Sequence, residues 1–400
     1  MSATPSSTLI VLLLSLLLGL QPITTDLYLP VLPMLSDNFA VSMAQAQLTL
    51  TALLLAFGSS QLVWGPMSDR FGRRPILLWG LSAYVLAAIA SSLAPSLNCL
   101  ILWRTLQGAA MGAAVMSARA IVRDLYPPLE GAGVMSKAMS GLGLIACLSA
   151  PLGGMLSDAF GWQMTLLSLA VFSAITLAIV VRRFEESLQH KNPRALQPAV
   201  LLRTWRGIIG DRTFLAFSAL GTASYAGLFT FLAASPFVFI NLLGQSRSQF
   251  GWVLFTMPMA YIVGTFLCRR LLSRFGLRRT VAYGGAISLA AGSLLGLIAL
   301  LDWVNGWTIM LPFYLYMVGH GIHQPCSQSG SVGPFPFAAG AASALNGCLM
   351  MGVAFLMGLW LASQTNPSSP SWLFGIWFWG VLTALVAWTL VQQAGSRHES

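Results

Sequence analysis

Residues 65–74 read Gly65-Pro66-Met67-Ser68-Asp69-Arg70-Phe71-Gly72-Arg73-Arg74. They form a short charged loop between two long apolar stretches, where glycine supplies backbone angles that other residues avoid. The acid and the arginines can pair with each other, with helix ends or with a neighbouring helix. A basic loop that only fixes membrane orientation is the alternative, but the ordered spacing favours a gating loop. The candidate gating residues are Gly65, Asp69, Arg70, Gly72, Arg73 and Arg74.

Long apolar stretches flank this loop and recur throughout the 400 residues. Apolar types make up 56% of the chain and charged types 8%, against about 25% charged in soluble proteins. A helix of about twenty apolar residues crosses a bilayer core. The pattern excludes a set of soluble domains. Around the tenth and eleventh spans it is interrupted by Pro325, Pro334 and Pro336. It predicts an all-α integral membrane protein with twelve spans, at approximately 8–30, 45–66, 75–94, 97–118, 134–156, 162–181, 213–234, 250–271, 280–301, 307–327, 338–362 and 372–393.

The basic residues predict which way these spans face. Of 21 Lys and Arg, 19, including Arg397, fall on the side of the N-terminus; Arg104 lies inside a span and Arg247 on the opposite side. Since cytoplasmic loops carry the excess of Lys and Arg, both termini are predicted to be cytoplasmic. The net charge of +10 is therefore explained by membrane topology and requires no nucleic acid partner. The basic residues can also contact anionic lipid.

The ends of the chain and its cysteines exclude two other classes. Met1 to Gln21 contains no Lys or Arg, so we interpret it as a retained first span and not as a secretory signal. The five cysteines form no CxxC motif, so neither a zinc knuckle nor a disulfide framework is encoded.

One polar stretch divides the chain into two halves of six spans each. We predict an N-terminal six-helix bundle over 1–181, a basic cytoplasmic linker over 182–212 and a C-terminal six-helix bundle over 213–400. The loop sequence Ser68–Arg74 after span two has a degenerate copy, Ser273–Arg279, after span eight. Two such repeats with a substrate site at their interface are a transporter architecture.

Span four carries a charge. Arg104, Gln107 and Gly108 fall at i, i+3 and i+4 and so share one helix face. A charge within the membrane is by default a functional hypothesis. An arginine that snorkels to the outer interface is the alternative.

Span five is rich in small residues, with Gly143, Pro151, Gly153 and Gly154 as candidate hinge positions. Small residues let helices approach closely in lipid, and proline bends a helix. A hinge and plain helix packing both remain open on this chemistry.

Asp26 is the only acid within a predicted span. It and Arg104 both lie about 10 Å below the predicted outer surface, at 1.5 Å per residue. We therefore predict that Asp26 and Arg104 form a proton-coupling pair. The alternative for Asp26 is an interfacial cap near Pro30.

Further polar and aromatic residues could line a drug cavity. His320, His323 and Cys326 are spaced as metal ligands can be, but a closed site needs three or four ligands in tetrahedral geometry, and Pro325 disturbs the helix. We predict no metal and interpret the histidines as a solvated cavity lining or as an auxiliary protonation site. The candidate lining residues are Tyr28, Tyr225, Phe229, His323, Gln324 and Asn346.

Several motifs resemble those of a known family. The loop at 65–74 resembles the cytoplasmic signature of the major facilitator superfamily. Arg104-x-x-Gln107-Gly108 resembles the span-four motif of its proton-coupled drug exporters. Ala150-Pro151-Leu152-Gly153-Gly154 resembles their antiporter motif, with Ala150 in place of the usual glycine.

The first span resembles one branch of these exporters. Thr25-Asp26-Leu27-Tyr28-Leu29-Pro30-Val31-Leu32-Pro33 is similar to the first span of the Bcr/CflA branch, the bicyclomycin and chloramphenicol resistance exporters. Three further matches follow in the same order as in that branch: Arg123–Tyr126, Ser235–Phe239 and Ala339–Leu345.

The resemblance implies a major facilitator fold and a drug:H⁺ antiporter of the bacterial inner membrane that works by rocker-switch alternating access. Its expected partners are small amphipathic drugs, protons and the lipid bilayer, with no cofactor, and we expect a monomer to function. Export of a small metabolite such as an amino acid or sugar is the alternative. The sequence contains no P-loop, no H-E-x-x-H and no G-x-S-x-G, which argues against ATP-driven transport and against an enzyme. A channel would not explain the repeat.

Overall fold

The computed structural model describes residues 7–126, 128–335, 338–364 and 370–394. These residues form helices joined by turns and by one longer segment, 184–197, and they contain no strand. The prediction of an all-α protein is therefore confirmed. Pro336 and Arg397, which entered the span pattern and the charge count, lie outside the described residues.

The described residues form thirteen α-helices. The α-helices are α1 Ser7–Asp26, α2 Leu32–Asn38, α3 Met43–Phe71, α4 Arg73–Ser92, α5 Leu97–Leu125, α6 Pro128–Arg183, α7 Pro198–Ile209, α8 Arg212–Pro236, α9 Arg247–Leu300, α10 Gly306–Val332, α11 Ala339–Ala362, α12 Ser371–Trp388 and α13 Leu390–Ala394. A 3₁₀ turn, Leu29–Val31, joins α1 to α2, and a π-helical segment, Phe237–Leu242, follows α8.

Twelve spans follow from these helices. Nine helices of the described residues are long and apolar enough to cross a membrane, the first of them running from Thr8 to Asn38. Two of the nine, α6 and α9, are broken at Gly161 and Gly276, whose φ angles are 83° and 73°, so each supplies two spans. The less apolar α10 completes the twelve.

The helices divide into two compact units. The first unit comprises Met1–Arg203 and Ser246–Trp252, and the second comprises Thr204–Gln245 and Val253–Ser400. The division after Arg203 falls inside the polar stretch 182–212. The first turns of α9 thus belong to the first unit.

Small residues permit close packing within the first unit. There α5 packs against α3 and α4, and α6 packs against α1 and α4. Gly108 of α5 lies against the backbone oxygen of Leu53, which a Cβ atom at residue 108 would overlap. Gly80 of α4 lies against the side chain of Ala113 in the same way. Such contacts let membrane helices approach closely.

The second unit is organised around α8, which packs against α10, α11 and α12. Its apolar core includes Leu220, Cys268, Val281, Ile322 and Val386, all buried. Because α8 is apolar on most of its faces, it suits the interior of a helical unit.

Candidate transport and gating sites

Arg104 is fully buried inside the first unit, with 0% of its surface exposed. Its Nη1 donates a hydrogen bond to Oε1 of Gln107 at 2.7 Å, and its Nη2 donates to the backbone oxygen of Thr24 at 3.1 Å. Its guanidinium carbon lies 4.0 Å from the ring centroid of Tyr28, a cation–π arrangement. These contacts tie α5 to the end of α1, and they disfavour a snorkelling arginine.

Hydroxyl groups extend this cluster to two more helices. Tyr28, a predicted cavity residue, is buried, and its hydroxyl donates to Oγ1 of Thr49 on α3 at 2.6 Å. The hydroxyls of Thr24 and Tyr84, the latter on α4, share a hydrogen bond of 2.5 Å. The end of the first span is therefore held by polar contacts from α3, α4 and α5. Hydropathy gave no signal for Thr49 or Tyr84.

Asp26 is the last residue of α1 and is half-buried. Its Oδ1 accepts a hydrogen bond from the hydroxyl of Thr25 at 2.8 Å. The four ion pairs found among the described residues do not include Asp26 with Arg104. Arg104 instead binds the carbonyl of Thr24, two residues before the acid. The two predicted coupling residues therefore form no direct ion pair. Arg104 is linked to the first span by its hydrogen bond to the backbone carbonyl of Thr24.

The charged loop is organised by Arg73, whose side chain is only 2% exposed. Its Nη1 donates to Oδ1 of Asp69 at 2.7 Å and to the hydroxyl of Ser68 at 3.0 Å. Its Nε and Nη2 donate to the two carboxylate oxygens of Asp124 at 2.7 and 3.4 Å. A two-pronged arginine–carboxylate contact fixes geometry as well as charge. The loop is thereby tied to α5.

Glu186 holds the other side of the loop. Its carboxylate accepts hydrogen bonds from the backbone N–H groups of Arg73 and Arg74, at 2.8 and 3.2 Å, and so caps the start of α4. Gly72 has a φ of 110°, and a Cβ atom at this position would overlap the Glu186 carboxylate. The backbone N–H of Asn192 also donates to the Asp69 carbonyl at 2.9 Å.

The remaining candidate gating residues make weaker contacts. Arg70 is exposed and lies over the ring of Phe71 at 5.5 Å. The Arg74 side chain donates to the Val181 carbonyl at 3.1 Å. Gly65 lies near the Met116 side chain, 3.6 Å from a Cβ atom built on it.

Sequence reasoning missed the roles of Asp124 and Glu186. Asp124 entered only as a motif match, and Glu186 was not singled out. The one available signal for Glu186 was an acidic pair, Glu185-Glu186, within an otherwise basic stretch.

The candidate hinge residues of α6 differ in their surroundings. A Cβ atom at Gly153 would overlap the backbone oxygen of Leu27, and one at Gly154 would overlap that of Arg247. Gly143 has nothing within 4 Å of such an atom, and Pro151 is buried. Close packing therefore accounts for Gly153 and Gly154, and the hinge role stays a prediction.

An ion pair lies beyond these glycines, within the first unit. Asp158 accepts hydrogen bonds from Nη1 of Arg247 at 3.1 Å, from the backbone N–H of Ser248 at 3.0 Å and from its hydroxyl at 2.6 Å. Arg247 is the one basic residue that the charge pattern places on the side of the membrane opposite the cytoplasm. The carboxylate thus secures the start of α9 against the end of the first half of α6.

We expect Gly153→Ala to lower the free energy of unfolding by about 1–3 kcal/mol, because the backbone oxygen of Leu27 cannot move aside as a flexible side chain would. The matched change Gly143→Ala, where a Cβ atom meets nothing within 4 Å, should keep or slightly raise the melting temperature, because alanine is favoured over glycine in a helix interior. Thermal unfolding of both variants in detergent checks this. Equal melting temperatures for the two variants would show that α6 is free to shift away from α1.

The second unit contains a polar group around α10. His320 is buried, and its Nδ1 lies 2.9 Å from the Ser224 hydroxyl. The rings of Tyr225 and Tyr261 lie 6.4 and 5.7 Å from the imidazole. The predicted residue Tyr225 is therefore brought to His320.

The other predicted lining residues of this unit are more dispersed. His323 is fully buried beside Gly284, and Phe229 is buried in the interior. Gln324 is half-buried on α10. Asn346 donates through Nδ2 to Oε1 of Gln328 at 3.1 Å. Sequence reasoning did not single out Gln328.

Metal chemistry finds no support in the described part of the chain, where no three His, Cys, Asp or Glu side chains lie close enough to hold an ion. The absence of a bound metal stays a prediction, which metal analysis of the purified protein would test.

Twelve helical spans in two units, with a buried arginine and a charged loop in the first, define a polytopic membrane transporter. The model of the Major Facilitator Superfamily matches residues 14–359. The chain therefore belongs to that superfamily. The family that the sequence of the charged loop resembles is thereby confirmed.

Curated relatives carry the names of drug resistance proteins. Over 345 residues the chain is 32% identical to multidrug resistance protein D of Escherichia coli, covering 85% of each chain. It is 27% identical to a bicyclomycin resistance protein homolog of Haemophilus influenzae over 98% of each chain. It is 26% identical to a chloramphenicol resistance protein of Pseudomonas aeruginosa, covering 85% of this chain and 80% of that one. These matches confirm the resemblance to the Bcr/CflA branch.

Solved structures share the fold. A D-xylose–proton symporter superposes with a TM-score of 0.75 at 16% identity, covering 97% of this chain and 98% of that one. A human organic anion transporter superposes with a TM-score of 0.70 at 21% identity, covering 97% and 100%. At these identities the likeness concerns the fold alone. The major facilitator fold predicted from sequence is confirmed.

Proposed function

We propose that this chain is a proton-coupled exporter of small amphipathic drugs, a drug:H⁺ antiporter of the bacterial inner membrane with both termini in the cytoplasm. It works as a monomer by rocker-switch alternating access. The observation that carries the proposal is the buried Arg104, which donates a hydrogen bond to the carbonyl of Thr24, two residues before the acid of the first span. The names of the curated relatives support drugs as the substrate class.

Asp26 carries the proton in this proposal. Its carboxylate is half-buried at the end of α1 and accepts a hydrogen bond from the neutral hydroxyl of Thr25. A carboxylate in the membrane without a close cation is costly when charged. Protonation neutralises the carboxylate and removes that cost. Asp26 then takes up or releases its proton according to the side of the membrane to which the site is open.

Arg104 is a positioning residue for this acid. It holds the carbonyl of Thr24 and the ring of Tyr28, which lie on either side of Asp26 in sequence. A movement of α1 that follows protonation must therefore strain or relax the contacts of a buried charge. This links the proton to the packing of α1, α3, α4 and α5.

Drug and proton compete through the same conformational balance. A cationic drug can replace the charge of the proton directly. A neutral drug must act through different affinities for the inward-facing and outward-facing states, because a ligand shifts an equilibrium only by its differential affinity.

Export of a small polar metabolite is the second candidate. The observation in its favour is the amide pair of Asn346 and Gln328, which is extended by a hydrogen bond from Gln328 to the Ser343 hydroxyl at 3.2 Å. Such a pair suits hydroxyl or amino groups better than a purely apolar drug.

A susceptibility panel and dye efflux in a host without its own pumps separate these candidates. A drug exporter should raise resistance to several amphipathic compounds, and an uncoupler should abolish the dye efflux. Efflux that is insensitive to the uncoupler would remove proton coupling. Normal susceptibility together with expulsion of an amino acid or sugar would favour the metabolite.

Changes in the charged loop are expected to slow transport without weakening drug binding. Asp69→Asn removes an ionic partner of Arg73, and Gly72→Leu forces a side chain into the Glu186 carboxylate at a backbone angle that disfavours it. Each should lower turnover by about tenfold, since conformational steps set the rate of many such cycles. Turnover in vesicles and drug binding in detergent check this.

Glu130→Gln, which removes an exposed acid at the start of α6, is the matched control and should transport normally. A large loss of drug affinity in Asp69→Asn, at normal expression, would place the loop in the binding site and contradict the gating role.

A further inference from the structure

The two halves of the chain use the same loop in different ways. Aligned on the Phe-Gly pair, Phe71-Gly72 of the first unit corresponds to Phe275-Gly276 of the second. Both glycines have left-handed backbones, with φ of 110° and 73°. Each directly precedes the start of a membrane helix.

In the first unit this helix start binds an anion. The carboxylate of Glu186 accepts hydrogen bonds from the backbone N–H groups of Arg73 and Arg74. The first N–H groups of a helix have no partner within the helix, and they favour an anionic group. The Glu186 carboxylate lies so close to Gly72 that a Cβ atom there would overlap it.

In the second unit the corresponding place opens into a cavity of about 830 Å³. A Cβ atom at Gly276 would have nothing within 4 Å. The described residues that line the cavity include no Asp or Glu, whereas Arg278 and Arg279 both do so. The other walls come from α8, α10 and α13, with Phe217, Ser329 and Gln392 among them.

We propose that this cavity binds the phosphate group of an anionic phospholipid. Two arginines and a helix start supply the positive field, and the first unit holds a carboxylate in the equivalent geometry. Phe217 and Phe275 provide apolar wall for the glycerol and upper acyl region. The cavity lies beside the basic segment between spans eight and nine, which the charge pattern assigns to the cytoplasmic leaflet. Basic pockets between membrane helices on that side suit such headgroups. The site is independent of the drug and proton sites.

The test titrates lipid into the purified full-length protein in neutral detergent and follows thermal unfolding. Phosphatidylglycerol should raise the melting temperature, and phosphatidylcholine should have a much smaller effect. The double variant Arg278→Gln/Arg279→Gln should need about tenfold more phosphatidylglycerol for the same rise. The control Arg269→Gln/Arg270→Gln removes the same charge from the same helix at exposed positions that do not line the cavity, and it should respond as the unmodified protein does.

Two further variants keep the test decisive if the double variant folds poorly. Gln392→Glu supplies a carboxylate to the cavity, as Glu186 does in the first unit, and should abolish the response to phosphatidylglycerol. Because Nε2 of Gln392 donates to the carbonyls of Arg278 and Ala387, this variant loses two hydrogen bonds, and its response is compared with its own melting temperature without lipid. Ser329→Phe should reduce the response by filling space with no change in charge. An equal response in all variants and the control would overturn the proposal. Equal stabilisation by inorganic phosphate at the same concentrations would also overturn it, because the ligand would then be a free anion.

Discussion

Asp26→Asn is expected to abolish drug efflux that is driven by a pH gradient, while drug binding in detergent stays within about threefold of the unmodified value. The amide has the shape of the protonated acid but cannot release a proton, so the cycle loses its coupling step. The amide oxygen of Asn can accept the hydrogen bond that Thr25 donates to Asp26, so the change should leave the fold intact. Efflux from vesicles with an imposed pH gradient, compared with drug binding to the purified variant, checks this expectation.

Asp37→Asn is the matched control. Asp37 lies on α2, at the end of the same first span, and is exposed, so its amide variant should pump normally. Uphill transport by Asp26→Asn at the normal rate and with normal pH dependence would assign coupling to another residue. The buried His323 of the second unit is then the next candidate.

Arg104→Ala is expected to reduce transport more than tenfold and to lower the melting temperature. The change removes the contacts to Gln107, Thr24 and Tyr28 together. It also leaves a buried carbonyl and a buried amide without their charged partner, which costs about 1–3 kcal/mol for each group. Arg104→Lys should restore only part of the activity, because an ammonium lacks the planar fork that reaches two acceptors and stacks on a ring.

Transport assays and thermal unfolding separate the two effects in this series. Arg270→Ala, at an exposed arginine of α9, should change neither. Full transport by Arg104→Lys would show that transport needs only a positive charge at this position and not the planar guanidinium. Full transport by Arg104→Ala would remove it from the mechanism.

The helices were predictable because a bilayer imposes length and apolarity on every span. Hydropathy alone placed the breaks between spans five and six and between spans eight and nine. The structure adds their cause, because Gly161 and Gly276 take backbone angles that few other residues adopt. Gly72 was recognised from its place in the charged loop. Each of these signals is local in sequence.

The partners of the loop were not predictable from local signals. Glu186 binds the start of α4 from 113 residues further along the chain, and Asp124 binds Arg73 across 51 residues. A single sequence contains no signal that shows which distant acid will contact a given arginine. The motif predicted a gating cluster but could not supply two of its carboxylates.

The prediction that Asp26 and Arg104 form a pair shows a second limit of sequence analysis. Counting residues gives the depth of a side chain in the membrane, but it does not give its direction around the helix. At about 100° per residue, Thr24 and Asp26 point to different sides of α1. Arg104 binds the carbonyl of the former, so residues at matching depth meet through the backbone and not through their charges.

The most direct test of proton-coupled drug export uses the purified protein in liposomes that contain a pH-sensitive dye. Addition of a transported drug, with no other gradient imposed, should move protons in the direction opposite to the drug, and Asp26→Asn should stop the proton signal. Drug movement with no accompanying proton movement in the unmodified protein would contradict the account.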